Sequence, residues 1–354
     1  MSYNIYMSIR LKTSEKLELI SNLSAMLSAG IPLLETVDAL LEGTKGKLRT
    51  VLSDLKKDLE AGKTIAESFS RFPDSFDSIA VNLIHGGEQA GNLEEILKDL
   101  AETTKREIEF TSRIKGALAY PVFVMGIFLM IMLVILTFVI PRIAQVFLKL
   151  KVVIPLPTKI LIFLSNTLLA YWPWIVAGSV AFLILSVFIY QVRRRQVVSI
   201  LTSFPLLKPL AREIDLVRFT RSAALLLNSG IPITKTLELS RDVLVRTELI
   251  EAVEFARQEV IRGKRLSESL RSSKDGLIPQ ILIRMIAAGE KSGKLEGAFQ
   301  EASDYLDGRV TTTVKSLTTL LEPILLVVVG LAVGTIMVSI IAPIYQLVGQ
   351  IKVR

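Results

Sequence analysis

Three residues, Gly62–Thr64, read Gly-Lys-Thr and are of the types that hold a nucleotide phosphate. A phosphate-binding loop also needs a glycine five residues before its second glycine, and it follows a strand. Position 57 is Lys57, and the preceding segment LKKDLEA has a helical pattern. Thr64 and Glu67 have instead the spacing of a helix-capping box, so we expect no nucleotide at this segment.

The chain has few side chains that could bind a transition metal or activate a nucleophile. The sequence contains no cysteine and one histidine, His85. Common transition-metal sites use cysteine and histidine ligands, and serine or cysteine nucleophiles rely on an imidazole or a thiolate. We therefore expect no catalytic site, no metal and no cofactor.

Two carboxylates, Glu88 and Glu290, each follow a glycine and precede a predicted long helix. An acid near a helix N-terminus is favoured by the helix dipole, which is one interpretation of this pattern. The other is a contact with a partner or a metal, and both remain open. Glu322 raises the same question at the edge of an apolar segment, where we favour a position at the membrane interface beside a helix start.

These residues belong to an internal repeat. Four motifs occur twice in the same order, with the second copy displaced by 200 to 202 residues. They are Gly30–Pro32 with Gly230–Pro232, GKTIAESF from Gly62 with GKRLSESL from Gly263, GEQAGNLE from Gly87 with GEKSGKLE from Gly289, and the proline pair 121 and 141 with 323 and 343. The candidate partner-contact or structural positions are Gly30, Pro32, Gly87, Glu88, Gly91, Glu94, Gly230, Pro232, Gly289, Glu290, Gly293, Glu296 and Glu322.

Each copy has the pattern of a bundle of short helices. Leu19, Leu23 and Leu27 recur every four residues, and Phe219, Ala223 and Leu227 do the same in the second copy, which predicts an apolar stripe. In Gly-Ile-Pro the glycine is suited to closing one helix and the proline to the first turn of the next. Asn92 with Glu95 predicts a capping box, followed by a helix that runs towards the apolar segment, and the same is expected from Lys294.

The composition indicates a membrane protein. Hydrophobic residues make up 51% of the chain, charged residues 21%, and the mean hydropathy is +0.49. Charge-free stretches of about 20 residues or more lie at 120–141, within 160–192 and at 323–345. Because Pro173 interrupts the second stretch, we expect an interfacial helix up to about Tyr171 and a span over 174–190.

The flanking charges predict the orientation of these spans. The N-terminus lacks the apolar core of a signal peptide, so the first hundred or so residues are expected in the cytoplasm. Arg113 and Lys115 precede the first span and Arg193–Arg195 follow the second, which places these ends inside. The loop between them also contains basic residues, which weakens the asymmetry. The C-terminus would then lie outside.

The two copies differ in charge. Residues 1–118 carry a net charge of −3, and residues 191–318 carry +6. Opposite charge on similar folds predicts different partners, or each other in a neighbouring subunit. Contact of the basic copy with anionic lipid is the alternative.

The paired LSAGIPLLE-type helices, each followed by GEQAGNLE or GEKSGKLE and an apolar segment, with LEP opening the last, resemble the PilC-like family. This is the family of inner-membrane platform proteins of type II secretion systems and type IV pili, including competence pili. The resemblance implies a non-enzymatic, multi-pass inner-membrane homo-oligomer. It implies as partners a cytoplasmic hexameric assembly ATPase, pilin or pseudopilin subunits, other inner-membrane assembly proteins and the lipid bilayer, and no nucleic acid.

The predicted fold is an all-α membrane protein with two homologous cytoplasmic helical-bundle domains and three transmembrane helices. A small-solute transporter and an unrelated membrane-anchored scaffold remain as alternative functions. The predicted segments are cytoplasmic domain 1 at 1–118, transmembrane helices at 119–141, 173–191 and 319–347, an extracytoplasmic loop with the interfacial helix at 142–172, cytoplasmic domain 2 at 192–318, and an extracytoplasmic tail at 348–354.

Overall fold

The computed structural model describes residues 9–150, 156–192, 208–272 and 276–351, and every regular element within them is helical. The predicted all-helical class is therefore confirmed for the described residues. The helices are α1 (Thr13–Ser28), α2 (Leu33–Gly43), α3 (Gly46–Glu60), α4 (Ile65–Ser70), α5 (Ser78–Ala90), α6 (Leu93–Val134), a π-helical turn (Ile135–Val139), α7 (Ile140–Leu150), α8 (Leu156–Val192), α9 (Lys208–Asn228), α10 (Ile233–Arg241), α11 (Thr247–Ile261), α12 (Leu266–Arg271), α13 (Gln280–Ser292) and α14 (Leu295–Ile351).

The helices follow the repeat that the sequence predicts. Five short helices, α1–α5, precede the long helix α6, and α9–α13 precede the long helix α14 in the same order. The described residues divide into two compact units. The repeat unit comprises those up to Arg113 and from Lys208 to Thr311, and the apolar unit comprises those from Ile114 to Val192 and from Thr312 to Ile351.

The apolar stripes are buried as predicted. Leu19 and Leu23 of α1 are fully buried and Leu27 is half-buried, and the second copy repeats this pattern along α9. The rings of Phe69 and Phe76 stack with their centroids 3.9 Å apart, in the same core as Leu19 and Leu23. Burying such side chains contributes about 1.5–3 kcal/mol each, which holds the short helices together.

The two copies share one hydrophobic core. Leu226 of α9 and Leu239 of α10 are buried within the cluster formed by the first copy, and α5 packs against both of these helices. Within the repeat unit the two copies therefore form a single packed body. This contact was not predictable from the sequence, because it depends on faces that come together only after folding.

Two helices are long and apolar enough to cross a membrane within the described residues, Leu93–Gln145 and Leu295–Val338. Only 6% of the most apolar window of either helix is buried, whereas the core helix of a soluble protein would be mostly buried. The predicted continuation of α6 past Asn92 towards the apolar segment is confirmed, and the helix passes through Pro121 without ending.

The break expected at Pro173 is wrong. Helix α8 continues through Pro173 from Leu156 to Val192, so a separate interfacial helix does not form. Proline is tolerated inside membrane helices because neighbouring groups compensate for the missing hydrogen bond. Many side chains of the proposed span 174–190, together with Arg193–Arg195, lie outside the described residues, and this span stays a prediction.

Within the apolar unit, hydroxyl groups join the helices. Ser165 of α8 donates a hydrogen bond of 2.6 Å to the carbonyl of Leu136 in the π-helical turn. Thr318 of α14 donates to the carbonyl of Ala117 on α6 at 3.4 Å. A π-helical turn leaves backbone carbonyls poorly paired, and Ser165 supplies a donor to one of them.

Candidate functional site

The Gly-Ile-Pro motifs form identical helix-to-helix turns. Gly30 has φ 81°, a left-handed conformation that favours glycine, and the Ile31 amide donates back to Met26. Pro32 occupies the N-cap position of α2, one residue before the first turn where it was expected. The second copy has the same geometry, with Gly230 at φ 75° and Pro232 capping α10. These residues form the turn between two successive helices in each copy.

Gly87 and Gly289 mark close helix crossings. A methyl group on Gly87 would lie 2.8 Å from Cγ1 of Ile96, and one on Gly289 would lie 2.4 Å from Cβ of Ala298. Both distances are shorter than non-bonded carbon atoms tolerate. Glycine is therefore needed where α5 meets α6 and where α13 meets α14.

Glu88 and Glu290 each cap a helix, but not the one that they precede in the sequence. Glu88 accepts hydrogen bonds from the backbone amides of Ile65, at 2.6 Å, and Ala66, at 3.2 Å, at the start of α4. Glu290 accepts from the amides of Leu266 and Ser267 at the start of α12. Both oxygens of each carboxylate are occupied, and this accounts for the recurrence of the motif.

The remaining motif residues complete the junction. Gly91 and Gly293 take the left-handed conformation that ends α5 and α13, at φ 75° and 70°. The Ser24 hydroxyl donates to the carbonyl of Glu94 at 3.1 Å, which ties α1 to the start of α6. The Glu94 side chain is exposed, and that of its counterpart Glu296 is half-buried.

Two predicted caps do not form, whereas a third is confirmed. The Asn92 side-chain oxygen is buried without a hydrogen-bond partner in the described structure, so the capping box expected with Glu95 is wrong. Glu322 lies inside the continuous helix α14 and is exposed, so it does not sit at a helix start as expected. The capping box of Thr64 and Glu67 is present at α4.

Arg221 of α9 holds the two copies together. Its side chain is 10% exposed and reaches Glu107 of α6 at 2.9 Å and Asp307 of α14 at 3.1 Å. The guanidinium also lies over the ring of Phe110, 5.4 Å from the ring centroid. A buried cation needs such full compensation, because an unpaired one costs several kcal/mol.

Further polar contacts extend this junction, which we call the repeat junction. Arg113 of α6 pairs with Asp307 at 2.8 Å, and Arg218 of α9 approaches Glu107 at 3.8 Å. Arg106 of α6 lies 3.5 Å from Asp304 of α14. Both copies contribute both signs of charge, so the contact is electrostatically specific in register.

A cavity of about 330 Å³ opens beside the repeat junction, between α6, α9 and α14. Asn228 donates to Asp99 at 3.1 Å across it, and Arg106 holds Glu102 at 2.8 Å. Burial raises the pKa of Asp99, and the hydrogen bond from Asn228 offsets part of this shift. No group of three His, Cys, Asp or Glu side chains suited to a metal occurs in the part of the chain that the structure describes.

The sequence analysis missed Arg221, which contacts both Glu107 and Phe110 of the first copy. The available signal was a lone charge within the apolar segment TRSAALLL, where the first copy has Ser21. A charge that breaks an apolar stripe has to find partners when the helix is buried. Which acids those are could not be read from the sequence, because Glu107 and Asp307 lie on two other helices.

Comparison with known proteins agrees with this architecture. The family model for protein F of the type II secretion system (T2SS) matches residues 19–141 and 219–343, which are the two copies. The chain is similar to the type IV pilus assembly protein PilC of Thermus thermophilus, with 30% identity over 94% of this chain and 82% of the relative. It is 28% identical to PilC of Myxococcus xanthus, over 93% and 79%. It is 27% identical to type II secretion system protein F of Aeromonas hydrophila, over 95% and 87%.

Replacement of Glu88 or Glu290 by glutamine tests the capping role. We expect each of Glu88→Gln and Glu290→Gln to destabilise the repeat unit by about 1–2 kcal/mol, because a charged acceptor of two amide hydrogen bonds is lost. Thermal unfolding in detergent measures the change, with Glu94→Gln on the exposed surface as the control. Unchanged stability together with selective loss of a partner would instead favour a contact role.

Arg221→Met tests the repeat junction. Removing the guanidinium leaves Glu107 and Asp307 with weaker partners, and we expect a loss of about 2–4 kcal/mol. Arg106→Met is the matched control, since Arg106 is 42% exposed and its ion pairs contribute about 1 kcal/mol or less. Thermal unfolding of both variants compares them, and equal shifts would show that the junction does not depend on Arg221.

Proposed function

We infer that this chain, which belongs to the type II secretion system protein F family, is a membrane platform of a machine that assembles type IV pili or a type II secretion apparatus. The observation that carries this function is the family match to both copies, each of which leads into a long helix. The apolar stretches of those helices are suited to a bilayer.

We propose the topology that the flanking charges favour. Residues 1–118 and 192–318 would lie in the cytoplasm, with spans at 119–141, 173–191 and 319–347 and the 142–172 and 348–354 segments outside. The basic residues Arg113 and Lys115 support the first of these placements, since basic residues are retained on the cytoplasmic side. In a bacterium this membrane would be the inner one.

The platform would couple a cytoplasmic hexameric assembly ATPase to pilin or pseudopilin subunits that leave the bilayer. It would do so as a homo-oligomer beside other inner-membrane assembly proteins, without catalytic activity of its own. Support comes from the packing of both copies into one body, because a body with a shared core transmits force without first deforming. The continuous helices α6 and α14 would pass the movement towards the bilayer.

A transporter is less well supported. A solute pathway through the membrane needs polar groups that face it. Among the described residues, the hydroxyls of Thr137 and Thr335 donate to carbonyls of their own helices, at 2.8 and 2.7 Å. They are therefore already engaged.

Binding to the assembly ATPase of the same organism tests this function, with the full chain in detergent. Deletion of residues 1–118 would expose the shared core, so paired charge variants are the cleaner probe. If the acidic copy is the contact, Glu60→Gln with Asp74→Asn should weaken binding about threefold to tenfold at low salt. Arg265→Gln with Arg271→Gln is the matched pair on the basic copy. The reverse ranking would assign the basic copy, and no binding of the unaltered chain would contradict the coupling.

A proline at position 108 tests force transmission through α6. Ile108→Pro removes a hydrogen bond and interrupts the helix at a cost of about 3 kcal/mol or more, whereas Ile108→Ala keeps it. We expect the proline variant to insert into the membrane and bind the ATPase but to abolish pilus or pseudopilus assembly. If the proline variant assembled pili or pseudopili as well as the alanine variant, force transmission through a continuous α6 would be ruled out.

A further inference from the structure

The two copies dock through different faces. The second copy presents α9 and α10, and the first copy presents α5 and α6. We call the former the α9–α10 face and the latter the α5–α6 face. A contact between two unlike faces is heterologous. The equivalent of each face, which lies on the other copy, takes no part in this contact.

Within the described residues, each copy therefore retains one face that the intrachain contact does not use. The first copy has an α1–α2 face, which corresponds to the α9–α10 face at an offset of 200 residues. The second has an α13–α14 face, which corresponds to the α5–α6 face at an offset of 202. The buried hydroxyls of Thr36 and Thr236, which bond to the carbonyls of Ile31 and Ile231, confirm the first register.

Burial differs between equivalent residues on these faces. Ile79 of α5 is 5% exposed, whereas its counterpart Ile281 of α13 is 39% exposed. Leu83 is 1% exposed, and its counterpart Met285 is only half-buried. Ile281 and Met285 are apolar like their counterparts, but they lie on the face that has no α9–α10 face against it.

The polar contacts also have counterparts on the free faces. Arg218 of α9 faces Glu107 of α6 in the intrachain contact, and the equivalent residues are Glu18 and Arg309. The signs are exchanged, and the pair remains complementary. Arg309 bonds Glu213 at 2.6 Å but keeps a side chain that is 45% exposed.

A second polar pair follows the same rule. The hydrogen bond from Asn228 to Asp99 has Ser28 and Glu301 as its equivalents. Both are exposed, and a serine hydroxyl can donate to a glutamate. Two independent pairs thus keep their complementarity on faces that do not meet within one chain.

We propose that the α1–α2 face of one chain docks onto the α13–α14 face of a second copy of the same chain, in the register of the intrachain contact. Glu18 of one copy then pairs with Arg309 of the other, and Ser28 with Glu301. This inference rests on the self-association included in the proposed function and names the surface that performs it.

We expect the contact between two chains to be weaker than the equivalent contact within one chain. Met26 and Ala39 stand where the second copy has the buried residues Leu226 and Leu239, and Ser21 replaces Arg221. Less apolar area and no buried guanidinium mean a smaller free energy of association. The contact joins unlike faces, so repetition gives a closed ring of two or more chains or an open array.

Cysteine cross-linking in native membranes tests this surface, because the chain has no cysteine of its own. One chain carries Ser28→Cys and another carries Glu301→Cys, and a short bis-maleimide is added to membranes that contain either or both. Asn228→Cys with Asp99→Cys in a single chain is the positive control for reach, since these two side chains are 3.1 Å apart. Ser28→Cys with Glu60→Cys is the control for random collision.

We expect cross-linked dimers only when both variants are present, and a ladder of higher species when one chain carries both substitutions. Dimers from either single variant alone would place two copies of the same face against each other and overturn the proposal. So would a yield from the combined variants no greater than that of the collision control.

Glu18→Arg provides a second measurement on the folded protein. It places a cation opposite Arg309, and we expect the yield between Ser28→Cys and Glu301→Cys to fall at least threefold. Glu60→Arg, on α3 outside both faces, should leave the yield unchanged, and equal effects would contradict the proposed register. The assay contains no ATPase, so its failure is distinguishable from a failure of the platform function.

Discussion

The burial of one guanidinium, that of Arg221, constrains the whole repeat unit. A cation removed from water is tolerated only when its donors meet acceptors and its charge is neutralised. The acceptors here, Glu107 and Asp307, are on different long helices, so α6, α9 and α14 have to arrive together. The burial of Leu226 and Leu239 stabilises this arrangement. The charged pairs determine how the helices of the two copies align.

Several local features were predictable from the sequence, whereas features that depend on distant partners were not. The turns at Gly30 and Gly230 and the capping box at Thr64 involve residues within a few positions, and their spacing predicted them. The repeated Gly-Glu motif marks Glu88 as a candidate capping or contact residue. The helix that it caps, α4, lies more than twenty residues earlier in the chain. Asn92 has a capping residue type, but its side chain is left without a partner. At Pro173 helix continuity prevailed over local propensity.

The repeat has two kinds of conservation between its copies. Residues that shape each bundle, such as Gly87 with Gly289 and Glu88 with Glu290, keep both identity and geometry. One pair on the docking faces, Arg218 with Glu107, instead has its charges exchanged in the equivalents Glu18 and Arg309. Because a surface pair works with either arrangement of its signs, the faces diverge in charge while the scaffold beneath them stays the same.

The shared core also fixes the parity of membrane crossings. Two segments that share one hydrophobic core lie on the same side of a bilayer, because they cannot be in contact across it. If α6 crosses a bilayer, the chain would have to return before α9 begins, which would require an odd number of further crossings between them. Helix α8, Leu156–Val192, is the described helix between α7 and α9, and it has the length for that return. Under that condition the connection between the copies would have to cross the bilayer an odd number of times, whatever its sequence.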